Sequence, residues 1–423
     1  MTKKSKVLLV SYLFAPNNVI GAFRPSKIAE RLANDGYDVD VFTYGYTDND
    51  SLVIEDTGIN KYLVDSVKKE QRKVSKSSSL KNKKDNILVY KLKRHYVTYL
   101  SAKKDKRFLD EFKRVYDSVL FKNDYDAVFT TFGPLCNLQA GLYVKKRNPK
   151  IKWICDFRDP VVVDFAPELY RPYFKYMQET ACKKADAIVT VSNGYLKRIC
   201  KGRYKNKSFM IPNGYDLKDK PKSEIILDNS ILKLTYVGAL YLGKRDLSPI
   251  FKAIKELNDE NKIDASKIVF EYAGAEFSTV KMQAEQHSMS DIIVDNGILS
   301  RKDCLDLQFS SHALVLSTWN TKGEEGVFPG KFLEYMLIGR PVISVVDGNL
   351  ANSEVTSVIK EGNLGISYES ANSENDFQTL KKYIHKLYVE IVENNGFEFA
   401  PNQTVLERYN YDNIMKRIEA LIN

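Results

Sequence analysis

Histidine is scarce in this chain: four in 423 residues, with His95, His287, His312 and His385 far apart. A His dyad for acid–base work or a His-built metal site has too few members, and His312, beside a predicted strand, reads as a core-edge residue. The five cysteines (Cys136, Cys155, Cys182, Cys200 and Cys304) are odd in number, scattered and without C-x-x-C spacing. That pattern predicts reduced thiols in a cytoplasmic protein and no zinc site. No apolar run approaches the roughly 18 residues that a membrane span needs. The opening MTKKSKVLLVSYLFAP is basic, then apolar, but its run is short and no small-residue cleavage site follows before Arg24. It reads as a first β-strand rather than a secretory leader. G-x-G-x-x-G, G-x-S-x-G and H-E-x-x-H are absent, and the loosely P-loop-like Gly326–Lys331 is followed by Phe332 where Ser or Thr is required. Asp38-Val39-Asp40 matches D-x-D but leads into a strand, with no obvious partners for a metal.

What is present is an ordinary globular composition, 43% hydrophobic and 28% charged, in a chain long enough for two or three domains. Lys and Arg exceed Asp and Glu by 10, which suits an anionic partner: nucleic acid, anionic lipid or a phosphorylated substrate. Nucleic acid is disfavoured, because the aromatics fall inside predicted strands and helices rather than in a basic-aromatic surface stripe. Strands are predicted at Lys6–Tyr12, Val39–Thr43, Ala127–Thr131, Trp153–Phe157, Ala187–Ser192 and Ser208–Ile211. Helices alternate with them at about Pro25–Asn34, Ser101–Phe121, Leu138–Lys146 and Glu168–Lys184. After the polar stretch Asp216–Asn229 the alternation restarts, with strands at Leu232–Val237, Ile268–Ala273, Ile292–Val294, Ala313–Ser317 and Val342–Val346. Repeated strand–helix–strand units of this length imply parallel sheets covered on both faces, hence two Rossmann-like domains. The least regular part is Asp48–Arg94, with a basic, Ser/Asn-rich run at Lys68–Asp85. That run reads as a solvated surface loop or as a patch resting on anionic lipid.

Three stretches carry candidate chemistry. In TWNTKGEEGVFPGKFLEYMLIGRPVISV, Thr318–Val345, a strand, a Gly-containing loop and a helix start at Gly330-Lys331 would aim backbone N–H groups at an anion. Lys331 adds charge there, and Glu334, one turn on, would accept from ribose hydroxyls. The segment also reads as a plain βαβ connection. The second stretch, Gly238 to Lys244-Arg245, opens a helix with two cations, an arrangement unfavourable against the helix dipole and suited to a diphosphate. The third, Asp156-Phe157-Arg158-Asp159-Pro160, closes a strand where ligands bind in open α/β sheets, or forms a local ion pair holding the loop.

In combination these pieces resemble the retaining GT-B glycosyltransferases of the family 4 type. The matching runs, in order, are YLFAPNNVIGAFRPSKIAERLANDGYDVDVFT, TTFGPLCNLQAGLYVKK, WICDFRDP, ADAIVTVSNGYLKRI, MIPNGYD, YVGALYLGKRD and NTKGEEGVFPGKFLEYMLIGRPVIS. The resemblance implies a GT-B α/β architecture: two Rossmann-like domains with parallel sheets facing across a cleft, and a C-terminal helix crossing back to the first domain. The expected parts are an acceptor domain over 1–215 with a basic loop at about 66–86, a nucleotide-sugar donor domain over 216–402, and a crossover helix over 403–423. The implied activity moves a sugar from a UDP- or GDP-type nucleotide-diphosphate sugar to a glycan or lipid-linked glycan in surface-polysaccharide synthesis. No bound metal or cofactor is implied. Lys244, Arg245 and Asp159 would serve the chemistry; Gly238, Asn320, Gly330, Lys331 and Glu334 would hold the donor; Gly21, Arg24 and Arg158 would meet the acceptor. The chain would work in the cytoplasm, peripherally on the inner face of an anionic membrane.

The family pattern is departed from twice. Gly326 stands where a first glutamate is common, with Glu324 and Glu325 just upstream, and Cys136 lies in the loop where a histidine is common. Two alternatives therefore stand beside the transferase reading: an inactive nucleotide-sugar-binding or scaffolding subunit, and a GT-B-fold nucleotide-sugar 2-epimerase. Neither the donor base nor the oligomeric state is legible.

Overall fold

The computed structural model describes residues 5–17, 19–45, 52–54, 58–64, 87–161, 167–220, 225–241 and 243–423. The basic run Lys68–Asp85 lies outside the described residues. The chain divides into two compact units, one of Met1–Val191, Tyr195–Ile211 and Met415–Asn423, the other of Ser192–Gly194 and Pro212–Ile414.

In the first unit, β1 (Lys6–Val10), β2 (Asp38–Tyr44), β3 (Ile59–Val64), β4 (Ala127–Thr131), β5 (Lys152–Phe157), β6 (Ala187–Thr190) and β7 (Ser208–Met210) form one sheet. Its order is β3-β2-β1-β4-β5-β6-β7, and its pairings are parallel. All five residues of β4 and all four of β6 are buried, as expected of strands covered on both faces by crossover helices. The helices are α1 (Ile20–Asn34), α2 (Ile87–Ser118), α3 (Cys136–Arg147), α4 (Arg171–Lys184) and α5 (Asn193–Cys200). Phe108, Phe112 and Tyr116 of α2 pack with Phe42, Val128 and Leu138 in the core of this unit.

The second unit repeats the plan. β8 (Leu232–Val237), β9 (Ile268–Ala273), β10 (Ile293–Asp295), β11 (Ala313–Trp319), β12 (Val342–Asp347) and β13 (Gly365–Glu369) pair in the order β10-β9-β8-β11-β12-β13, all parallel. Its helices are α6 (Ser248–Asp259), α7 (Phe277–Glu285), α8 (Arg301–Phe309), α9 (Gly330–Ile338), α10 (Glu354–Gly362), α11 (Ser373–Tyr388), α12 (Gln403–Glu407) and α13 (Tyr411–Ile422). The last turns of α13 return to the first unit. There Lys152 Nζ donates to Ile422 O at 3.1 Å and Asn423 Nδ2 to the Tyr37 hydroxyl at 3.1 Å.

Three sequence expectations are corrected. Helix α2 starts at Ile87 rather than Ser101; ahead of Ser101 it leaves Tyr96, Val97, Tyr99 and Leu100 exposed, so residues 96–100 show no buried-face period. Strands β3 and β13 were not expected. Each is a sheet edge, with β3 only partly buried and β13 opening on Gly365, so neither shows the continuous apolar run of an interior strand. Among the described residues no helix is long and apolar enough to cross a membrane.

Candidate active site

In the second sheet β8 lies between β9 and β11, the point where strand order reverses, and the loops at its carboxyl end are where open α/β sheets take ligands. After β8 the backbone turns at Gly238 with φ 121°; its N–H donates to Ala273 O at 2.7 Å. A Cβ on Gly238 would overlap the ammonium of Lys331, so glycine here admits the lysine against the backbone. The loop is closed by Leu240 N–H donating to Glu276 Oε2 at 2.6 Å and Arg245 N–H donating to Leu240 O at 3.1 Å.

Three cations converge on this turn, each held differently. Lys331 Nζ lies 5.4 Å from the Tyr236 ring centroid. Burial, then the charge of Arg245, pushes its pKa down to about 8. Arg245 is only 7% exposed; its Nη1 donates to Ala239 O at 2.9 Å and to the Tyr236 hydroxyl at 3.3 Å, while its buried Nε has no partner among the described residues. Lys244 is the outer cation, 62% exposed, with Nζ 3.9 Å from Glu324. Lys244 and Arg245, neighbours in sequence, thus differ in exposure, one outward and one buried.

An aromatic pair that sequence reasoning passed over sits among them. Tyr241 meets Trp319 edge-on at 5.6 Å, Lys244 Nζ and Arg245 Cζ each lie 5.5 Å from the Trp319 ring, and Arg245 is 4.5 Å from Tyr241. The indole Nε1 of Trp319 is buried, with no hydrogen-bond partner among the described residues. The available signal was Trp319 itself, one of two tryptophans in the chain, beside a Gly-containing loop.

Helix α9 supplies the opposite wall. Its N-cap, Pro329, makes no side-chain cap and no acid stands in its first turn, so the N–H groups of Gly330 and Lys331 have no intrahelical acceptor. Among the described residues nothing lies within 4 Å of where a Gly330 Cβ would be. One turn on, Glu334 stands 3.5 Å from Arg301 Nη1; burial raises its pKa, opposed by Arg301 and Lys331. Arg301, another residue missed in the sequence, also lies 3.4 Å from Asp219. Asn320 serves the scaffold here: its N–H donates to Asp347 O at 2.7 Å and its Nδ2 to Leu350 O at 2.9 Å. Burial lifts the pKa of Asp347 to about 6, and its Oδ2 accepts from Asp246 N–H at 3.0 Å.

The first unit holds the remaining candidates. Arg24, expected at the acceptor, is instead a core ion pair: 2% exposed, with Nη2 2.9 Å from Asp156 Oδ1 and 3.0 Å from Ile211 O. Its guanidinium is engaged because Asp156, with no exposed surface, needs a buried counter-charge. Arg158 is wedged between two glycines. Its Nη1 donates to Gly21 O at 2.6 Å and its Nε to Phe132 O at 3.2 Å. A Cβ on Gly21 or on Gly133 (φ 107°) would press on that guanidinium. Asp159 is exposed beside it. Cys136 is fully buried at the start of α3, where Asp105 of α2 accepts from the Leu135 and Cys136 N–H groups; burial lifts the Asp105 pKa to about 6.

Comparison with known proteins agrees with this architecture. Residues 26–219 match the model of "Glycosyltransferase Family 4". No protein of curated function matches the chain by sequence. Among solved structures, sucrose-phosphate synthase from Thermosynechococcus elongatus is similar over 99% of this chain and 98% of its own, at 15% identity and TM-score 0.62. The apo lipopolysaccharide outer core galactosyltransferase WaaB is similar over 99% of both chains, at 13% identity and TM-score 0.57. A putative UDP-N-acetylglucosamine 2-epimerase from Listeria monocytogenes aligns over 99% and 96%, at 14% identity and TM-score 0.51. The fold is the GT-B α/β fold of two Rossmann-like units. These neighbours, at 15% identity or less, show the fold.

Proposed function

We propose that the chain is a glycosyltransferase taking its sugar from a nucleotide-diphosphate donor of the UDP or GDP type. The observation that carries this is the convergence of Lys331, Lys244 and Arg245 with the uncapped start of α9 at one strand-order reversal. A diphosphate there meets fixed cations and orphan N–H groups, and charge-assisted hydrogen bonds are worth about 1.5–3 kcal/mol each. As the bond between anomeric carbon and phosphate oxygen breaks, negative charge grows on the departing diphosphate and the sugar becomes oxocarbenium-like. Preorganised positive groups lower that barrier. Glu334, with Arg301 holding its carboxylate, is assigned to the ribose. Gly21, Arg158 and Asp159 are assigned to a glycan or lipid-linked acceptor, with Arg24 as a buried support. Retention, a role in surface-polysaccharide assembly, and a cytoplasmic, membrane-peripheral location complete the reading.

A 2-epimerase is the second reading, favoured by the Listeria neighbour. It would convert a nucleotide sugar without any acceptor. The scaffolding reading, which rests on Gly326 and Cys136, predicts binding without turnover.

Thermal unfolding against nucleoside diphosphates and their sugars tests the donor site. A ligand at a hundred times its dissociation constant adds about 2.7 kcal/mol. One nucleotide should stabilise the wild type, and a Lys244→Ala, Lys331→Met variant that still folds should lose the effect. A variant stabilised as well as the wild type would remove the diphosphate assignment.

A further inference from the structure

Helices α6 and α11 pack side by side on one face of the second sheet, where Ile250, Ile254, Leu380 and Ile384 share a core. Lys381 of α11 ties them together, its Nζ 2.8 Å from Glu256 and 2.5 Å from Glu260 of α6. At their N-terminal ends the two helices instead line a cavity of about 530 Å³, together with Tyr368 of β13. Its lining residues all belong to the second unit. The volume is that of a small-molecule site.

Each helix gives this cavity an i,i+4 pair: Ser248 and Lys252 from α6, Glu374 and Gln378 from α11. Lys252 lies across Phe377, its Nζ 4.5 Å from the ring centroid, and comes within 4.0 Å of Glu256 on its own helix. It forms no ion pair with Glu374, although both line the cavity. Among the described residues Glu374, Gln378 and His287, the last from the turn after α7, have no hydrogen-bond or ion-pair partner. Asp246 accepts from the Ser248 N–H at 2.9 Å through Oδ1, and its Oδ2 has no partner among the described residues. Two turns further along, the same helices close on each other through opposite charges. Here a carboxylate and an ammonium stay apart.

The chemistry of the lining selects a ligand class. A phosphate or a nucleotide would meet the carboxylates of Asp246 and Glu374 as like charges. A hydrophobe would strip water from those groups and leave them unpaired. A neutral polyol satisfies both signs, since each hydroxyl donates to a carboxylate and accepts from the ammonium or the amide. The C–H face of a sugar ring also packs on the aromatic edges of Phe377 and Tyr368.

We infer that this cavity is a second carbohydrate site, separate from the turn where the cations converge, and that it takes one or two neutral sugar units of a glycan. It anchors such a chain on the second unit by bridging α6 and α11. The inference does not depend on the donor assignment.

Saturation-transfer NMR of the full chain tests it, with cellobiose, lactose and diacetylchitobiose at millimolar concentration as probes. Glucuronate and inorganic phosphate are the anionic controls. At least one neutral disaccharide should bind, and more tightly than either anion. Glu374→Ala, Gln378→Ala should weaken that binding about tenfold or more, since a hydrogen bond to a charged group is lost. Lys252→Met should weaken it too. These side chains are exposed, so the variants should keep the wild-type circular dichroism and unfolding temperature. Excess uridine or guanosine diphosphate should not displace the sugar. The inference is overturned if no neutral disaccharide binds, if the folded variants bind as the wild type does, if an anion binds more tightly, or if a nucleoside diphosphate displaces the sugar. The donor reading is scored separately, by nucleotide stabilisation of the same proteins without saccharide.

Discussion

Lys331 carries a pH signature that separates binding from stability. Burial and Arg245 hold its pKa at about 8, against an ordinary 10.5. A bound diphosphate favours the protonated amine, so affinity should be full below pH 7 and fall as pH rises through 8 and the free protein loses that proton. Stability runs the other way. Between pH 8 and 10.5 the unfolded chain binds more protons at this lysine than the folded one, so its contribution to folding stability grows with pH. Titration calorimetry of the stabilising nucleotide at pH 7 and pH 9 should show weaker binding at the higher pH, with proton uptake. Lys331→Met should bind weakly and with little dependence on pH. Equal wild-type affinity at both pH values would take Lys331 out of the site. Lys331 and Gly238 were both legible in the sequence as candidates, but their contact was not. It depends on a backbone conformation with φ 121° and on a lysine reaching across from another helix.

Among the elements, α9 offers the sharpest test, because its N-terminus lacks a side-chain cap and its first residue has room. Gly330→Asp places a carboxylate on the orphan N–H groups with no clash. The substitution should leave stability unchanged or raise it by about 0.5 kcal/mol, while weakening nucleotide binding at least tenfold. Unfolding curves with and without ligand check both halves. The interior strands were readable as elements because double-sided burial gives continuous apolar runs, as in Ala127–Thr131 and Val342–Val346. The part of α2 before Ser101 was not, since the exposed Tyr96, Val97, Tyr99 and Leu100 give no buried-face period to detect. Arg24 was misread for a related reason. A motif match locates a residue along the chain but does not say which way its side chain turns. Arg24 turns into the core towards Asp156.

At the scale of the whole molecule, the chain leaves its first unit after Ile211 and re-enters it at Met415. Met415, Ile418 and Ile422 are buried there, each at most 3% exposed, and Arg417 donates to Met210 O. Burying three such side chains is worth on the order of 5 kcal/mol. Ending the chain at Ile414 should therefore loosen the first unit, seen as faster hydrogen exchange in β1 and α1. Stabilisation by nucleotide should persist, since the donor residues all lie in the second unit. There is a consequence for biosynthesis. Domains generally fold as units during synthesis, the N-terminal one first, at about 5–20 residues per second. Here the strip that closes the first unit follows roughly 200 residues of the second. The ribosome thus holds an unsealed first unit for about 10–40 s. During that interval the surface awaiting Ile418 and Ile422 is open to chaperones, and the second unit can finish before the first.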